Sequence, residues 1–183
     1  MKDSNKVLRI VLGRFQPFHF GHKSFVDAAI KDCNEGDKVL IMIGSSNSSL
    51  TLKNPLTYEE RKLILTNIYK DEPKILIKGI PDFHDEDKWK EKFHEIINET
   101  ISEAYKEGNV SSVMYSGSKD DDATLRSSWS NGIPVKSIVS HNIEGTEEPL
   151  SGTHIRDLFN RKEYELLKKY CPPETIDVFI KTD

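Results

Sequence analysis

Val7-Leu8-Arg9-Ile10-Val11-Leu12 runs directly into Gly13-Arg14-Phe15-Gln16-Pro17-Phe18-His19-Phe20-Gly21-His22, and this junction decides the fold. The apolar run has the length and composition of one buried strand. It breaks at Gly13 and Pro17, and a helical pattern resumes from about Gly21 through Ala28, Ala29 and Ile30. A strand that turns tightly into a helix aims that helix's free N–H groups and positive dipole end at whatever sits in the turn. Two imidazoles and the Arg14 guanidinium are added at the same spot. The junction reads as a phosphate site.

Outward from it, short apolar runs alternate with longer amphipathic stretches. Lys38 to Gly44 reads as a second buried strand and Ser45 to Pro55 as a polar loop. Thr57-Tyr58-Glu59-Glu60 has capping-box spacing, and Leu63, Ile64 and Ile68 give the following helix an inner face. Lys74 to Ile80 is a third strand. From Asp85 a long helix carries Trp89, Phe93, Ile96, Ile97, Ile101 and Ala104 at helical spacing and is expected to end near Gly108. Val110 to Tyr115, closed by Ser116-Gly117, is a fourth strand and Ile133 to Val139 a fifth, with helical or irregular chain over 119–130 between them. Beyond a loop, Ser151-Gly152-Thr153 opens a helix through Ile155, Leu158 and Phe159. A short helix (Lys162 to Tyr170) and a terminal segment after Pro172-Pro173 follow. This alternation predicts an α/β fold: a Rossmann-like parallel sheet of about five strands with helices on both faces. Such sheets bind ligands beyond the carboxyl ends of their strands, where the strand order reverses. The end of the first strand fits that rule.

Composition bounds the rest. The 183 residues suffice for a single domain, 1–183, with a small helical segment at about 151–183. A net charge of −4 gives no basic field for nucleic acid. Cys33 and Cys171 lie far apart and form no CxxC, so both are expected to be reduced and structural. Asp3, Lys6 and Arg9 interrupt the first residues too often for a signal peptide, and no run approaches a membrane span, so a cytoplasmic location is expected.

Leu150-Ser151-Gly152-Thr153-His154-Ile155-Arg156 is the second informative segment. Small hydroxyl residues at a helix start leave N–H groups open to an anion, and Arg156 one turn inside can add a charged fork. A plain cap with a surface arginine is the other reading of the same residues.

The ten residues from Gly13 to His22 resemble the signature of the nucleotidyltransferase superfamily whose hallmark is His-X-Gly-His. Their wording, Gly-Arg-Phe-Gln-Pro-Phe-His, is that of the nicotinamide-nucleotide adenylyltransferases of the archaeal type and their bacterial relatives. The resemblance implies that His19 and His22 hold the ATP phosphates. Gly13, Arg14 and Phe15 would line the same site, and Gly21 would let the backbone approach the nucleotide. Ser151, Gly152, Thr153 and Arg156 resemble the family's Ser-Gly-Thr-X-X-Arg element, which binds the phosphates opposite the His motif.

Three further stretches are similar to family elements. Lys53-Asn54-Pro55-Leu56-Thr57 with Glu60-Arg61 resembles Asn-Pro-Phe-Thr and Glu-Arg, with Leu56 in place of Phe. Lys53 is then either a triphosphate contact or a solvated loop lysine. Asp82 and Trp89 keep the seven-residue spacing at which the family sets an acid and an aromatic around the nicotinamide ring, though Trp89 also opens the apolar stripe of its helix. Ser118-Lys119-Asp120-Asp121-Asp122-Ala123 resembles the Lys-Asp segment of bacterial members fused to a Nudix domain. It offers Lys119 as a phosphate contact or a solvated charge. No Nudix box is present, so the pyrophosphatase activity of the fused relatives is expected to be absent.

The activity this implies is adenylyl transfer from ATP, arriving with Mg²⁺ and needing no metal ligand from the protein, to nicotinamide mononucleotide (NMN). The products are NAD⁺ and pyrophosphate. NMN and nicotinic acid mononucleotide remain open alternatives, and a homo-oligomer is expected by analogy. The rivals are another adenylyl- or cytidylyltransferase of the superfamily, for example one acting on phosphopantetheine; a fragment of a class I aminoacyl-tRNA synthetase; and a catalytically silent nucleotide-binding module. The Gly13–His19 wording and the Asp82/Trp89 pair argue against the first. The lack of a KMSKS-like lysine loop or basic surface argues against the second, and intact His19, His22 and Arg156 against the third.

Overall fold

A computed structural model describes residues 5–48, 50–106, 108–117, 132–138, 142–143, 145–146 and 150–182. Five parallel strands, β1 (Lys6–Gly13), β2 (Lys38–Ile43), β3 (Ile75–Gly79), β4 (Val110–Gly117) and β5 (Val135–Ile138), form one sheet in the order β3-β2-β1-β4-β5. The chain builds outward from β1 to β3, then crosses back to lay β4 on the other side of β1. The order therefore reverses between β1 and β4, which end at Gly13 and Gly117.

The apolar runs are continuous because both faces of the strands are covered. Val11, Val39, Ile41, Ile43 and Tyr115 face one core with α1 (Phe20–Asp32), α2 (Tyr58–Ile68) and the C-terminal helices α4 (Gly152–Asn160), α5 (Tyr164–Tyr170) and α6 (Pro173–Thr182). Leu8, Ile10, Leu12, Leu40, Met42 and Met114 face the other with α3 (Glu86–Ala104), through Phe93, Ile96 and Ile97. The period-2 alternation of strand side chains makes this division.

The capping box at Thr57 is formed: Thr57 Oγ1 accepts from Glu60 N at 3.0 Å and Glu60 Oε1 from Thr57 N at 2.8 Å. Two elements differ from expectation. The long helix stops at Ala104, short of Gly108, because Tyr105 turns to extended backbone (φ −124°, ψ 122°) and its hydroxyl donates to the Val7 carbonyl. The terminal segment is a helix, α6, begun by Pro173 at a position that needs no N–H and docked through buried Ile176, Val178 and Phe179. The possible helix over 119–130 and Val139 lie outside the described residues.

Below the sheet, Asp37 accepts from Val7 N, Asn34 N and Arg9 Nη2, and the Tyr115 hydroxyl bridges Arg9 to Asp32. Cys33 is half-buried and Cys171 buried, both as free thiols. Among the described residues no helix is long and apolar enough to cross a membrane.

Candidate active site

The loop between β1 and α1 is shaped by close packing. A Cβ on Gly13 would lie 2.7 Å from the Phe15 ring, so a side chain there would displace it. Phe15 takes a positive φ of 54° and is buried, edge-on to Phe18 and to His22. His19 is the N-cap of α1. Its Nδ1 accepts from Gly21 N at 3.1 Å and His22 N at 3.4 Å, while His22 Nδ1 accepts from His19 N at 3.3 Å. In this reciprocal box, built from two histidines, each Nδ1 serves as the acceptor, which favours the tautomer with its proton on Nε2. Each Nε2 is then the N–H donor. The helix start has no acidic residue in its first turn, and neither has α4.

Three guanidinium groups surround this loop. Arg14 is exposed at its beginning. Arg156 is half-buried, donating through Nη1 to the Gln16 carbonyl at 2.7 Å and through Nη2 to Thr153 Oγ1 at 3.3 Å. Burial, with Arg14 adding to it, pulls the Arg156 pKa down. A neighbouring cation that adds to the cost of charging Arg156 makes this spot suited to an anion. Gly152 is required by the same contact, since a Cβ there would lie 2.8 Å from Arg156 Nη1 and 3.2 Å from the Gln16 carbonyl oxygen. Ser151 caps α4 by accepting from His154 N at 3.3 Å, which occupies one of the N–H groups that sequence reading left open to an anion. Thr153 orients Arg156.

Arg61 is the third cation and is almost fully buried, at 1% exposure. It donates to the carbonyls of Arg14 (2.8 Å), Gly44 (2.7 Å), Ser45 (3.1 Å) and Thr57 (3.2 Å). One side chain thus ties the loops after β1 and β2 to the start of α2. Burial lowers its pKa, Tyr58 and Asp82 oppose that, and Arg14 adds to it. Gln16 completes the tie: its amide donates to the Leu56 carbonyl at 2.8 Å and accepts from Leu56 N at 2.9 Å. Sequence reading noted Arg61 and Gln16 as motif letters without a role.

The remaining candidates sit around this centre. Lys53 is exposed in the Thr51–Asn54 turn, and Leu56, where the family pattern has Phe, is buried in the core shared with Phe15 and Phe18. Asp82 is exposed just past β3, its backbone held on both sides by the Asn47 amide (2.8 and 3.2 Å). Trp89, one turn into α3, is half-buried and stacks on Phe93 with ring centroids 5.3 Å apart and planes 11° apart. That gives it a core contact on the α3 side of the sheet. Lys119 lies outside the described residues.

A depression of about 940 Å³ runs elsewhere, along α3 beside Lys90, His94, Asn98 and Glu103. It contains no strand end and none of the groups above, so the chemistry points to the carboxyl end of the sheet instead. Among the described residues no cluster of three His, Cys, Asp or Glu side chains is placed to hold a metal ion.

A family model described as cytidylyltransferase-like matches residues 10–158. A nicotinamide/nicotinic acid mononucleotide adenylyltransferase of Acinetobacter baylyi is 30% identical over 175 residues, 94% of this chain and 84% of that protein. A nicotinamide-nucleotide adenylyltransferase of Ignicoccus hospitalis is 37% identical over 81 residues, 42% of this chain and 46% of that protein. Among solved structures, a bifunctional NMN adenylyltransferase/ADP ribose pyrophosphatase of Francisella tularensis matches with a TM-score of 0.70 and 22% identity. The match covers 88% of this chain and 43% of that one, and it is a likeness of fold.

Proposed function

Since the chain belongs to the cytidylyltransferase-like family, and within it to the nicotinamide-nucleotide adenylyltransferases, we propose that it transfers the adenylyl group of ATP to NMN, giving NAD⁺ and pyrophosphate. The observation that carries this reading is the convergence of the His19/His22 box, the start of α1, Arg14 and Arg156 on one strand end, with no acidic residue in the first turn of either helix.

An oxygen of the NMN 5′-phosphate attacks the α-phosphorus in line, the α–β phosphoanhydride bond breaks, and pyrophosphate departs with its electron pair. The nucleophile is already an anion, so no general base is needed. The protein's task is positioning and charge neutralisation. His19 and His22 present Nε2–H donors, and Arg14 and Arg156 supply fixed positive charge where charge builds on the leaving group. Gly13, Phe15 and Gly21 shape the loop, Ser151, Gly152 and Thr153 set the start of α4, and Lys53 and Lys119 add outer phosphate contacts. Mg²⁺ belongs to the substrate, entering with ATP. Asp82 and Trp89 form the nicotinamide end.

The same site would accept nicotinic acid mononucleotide as the competing acceptor. A cytoplasmic location and a closed homo-oligomer accompany the proposal by analogy with the family. A pyrophosphate-release assay with ATP, offering NMN, nicotinic acid mononucleotide and phosphopantetheine in turn, tests the reading. Turnover of phosphopantetheine alone would overturn it in favour of another member of the superfamily.

A further inference from the structure

Three alternate carbonyls of the β1–α1 loop are each held by a different helix. Arg61 of α2 takes Arg14 O at 2.8 Å, Arg156 of α4 takes Gln16 O at 2.7 Å, and Thr175 of α6 takes Phe18 O at 2.8 Å. The first two are guanidinium groups at the phosphate site. Thr175 is different: a neutral hydroxyl, fully buried at 0% exposure, 157 residues from its acceptor.

We propose that Thr175 is a positioning residue for His22, acting through the Phe18–His19 peptide; the proposal rests on the adenylyl-transfer reading above. The carbonyl of that peptide accepts from Thr175, and its N–H donates to His22 Nδ1 at 3.3 Å. A peptide unit is planar, with C=O and N–H pointing in opposite directions, so it cannot rotate to serve one bond without losing the other. Donation to the carbonyl also polarises the unit and strengthens its N–H as a donor. The Thr175 hydroxyl therefore does two things at a distance. It fixes the plane in which the His22 ring is held, and it favours an unprotonated Nδ1, which keeps the proton on Nε2. A threonine in the first turn of a helix ordinarily caps or back-bonds within its own chain segment. This one spends its donor on the loop that carries the histidines.

Two pairs of residues test the hydroxyl alone: Thr175 against Thr175→Val, which has nearly the same volume, and Thr175→Ser against Thr175→Ala. The expected result is a kcat lowered roughly tenfold in each hydroxyl-free member, with KM for ATP and for NMN changed less than about twofold, as for a slight misplacement of a preorganised group. Thr175→Ser should restore most of the wild-type kcat. Independently of activity, ¹⁵N chemical shifts of the His22 ring should show the Nε2–H tautomer less populated in Thr175→Val. Unchanged kcat and unchanged His22 shifts in folded Thr175→Val or Thr175→Ala would overturn the proposal. So would folding only when a hydroxyl is present, which would make Thr175 a stability residue. If wild-type protein makes no dinucleotide, the adenylyl-transfer reading fails, and the His22 shifts still decide whether Thr175 orients the ring.

Discussion

The imidazoles of His19 and His22 stack with centroids 3.8 Å apart and planes 21° apart, each Nδ1 accepting a backbone N–H at the start of α1. The capping role and the role proposed for these histidines in adenylyl transfer therefore fall on one pair of rings. Removing either histidine removes a helix cap and, in the proposed reaction, a donor to the phosphates together.

His22→Ala should lower kcat by about 10²–10³-fold, the usual loss for one preorganised charge-stabilising donor. It should also cost about 1 kcal/mol of stability, because His19 N loses its acceptor. Steady-state kinetics beside denaturant melts check both. A folded variant with near wild-type kcat would remove His22 from the mechanism.

Arg156→Ala should raise KM for ATP and lower kcat while leaving NMN binding without ATP largely intact. Arg156→Lys should not fully rescue it, since an ammonium cannot both hold the Gln16 carbonyl and present a planar fork. Calorimetric titration of NMN into the apo-variant is the check, and an equal weakening there would contradict this division of labour.

Arg61→Met should be among the most destabilising single changes in the protein. It leaves the carbonyls of Arg14 and Gly44 without this donor, at about 1–3 kcal/mol each, and Ser45 O with only the Ser48 N–H. Against a total stability of roughly 5–15 kcal/mol, that approaches global unfolding. A urea midpoint close to wild type would show that water or other donors replace the guanidinium.

Trp89→Ala should raise KM for NMN about tenfold or more, with KM for ATP little changed, and Trp89→Phe should recover much of it because an aromatic face remains. The accompanying fall in Tm should be smaller than for Phe93→Ala, since Phe93 is fully buried and Trp89 is not. A large Tm loss with unchanged KM for NMN would assign Trp89 to the core alone.

Asp37 should contribute to acid sensitivity. Burial pushes its pKa up, but the N–H groups of Asn34 and Val7 and the Arg9 guanidinium outweigh burial and hold it below the ordinary value. A depressed folded pKa means stability that is fully present above the unfolded value of about 4 and lost as pH falls through the lower folded value. Asp37→Asn should be less stable at pH 7 and show a flatter acid limb in urea midpoints against pH. An unchanged limb would contradict this.

What the sequence made legible was local. The β1–α1 junction and the Thr57–Glu60 capping box are written in neighbouring residues, and the His motif carries its own cap. The ties that hold the site together span much longer distances: Arg61 to Arg14 across 47 positions, Arg156 to Gln16 across 140, Thr175 to Phe18 across 157. No periodicity records such contacts. Helix α6 escaped because Pro172-Pro173 reads as a stop, whereas Pro173 occupies a first helical position. Trp89 stayed ambiguous because an aromatic at the head of an apolar stripe has the same spacing whether it meets Phe93 or a ligand.

The most direct measurement follows the α-phosphate. With ATP labelled at the α-phosphorus and NMN as acceptor, the label should appear in a dinucleotide that co-elutes with NAD⁺. With γ-labelled ATP it should appear in pyrophosphate. Label recovered only as AMP or ADP, with NMN unconsumed, would contradict adenylyl transfer to NMN at this site.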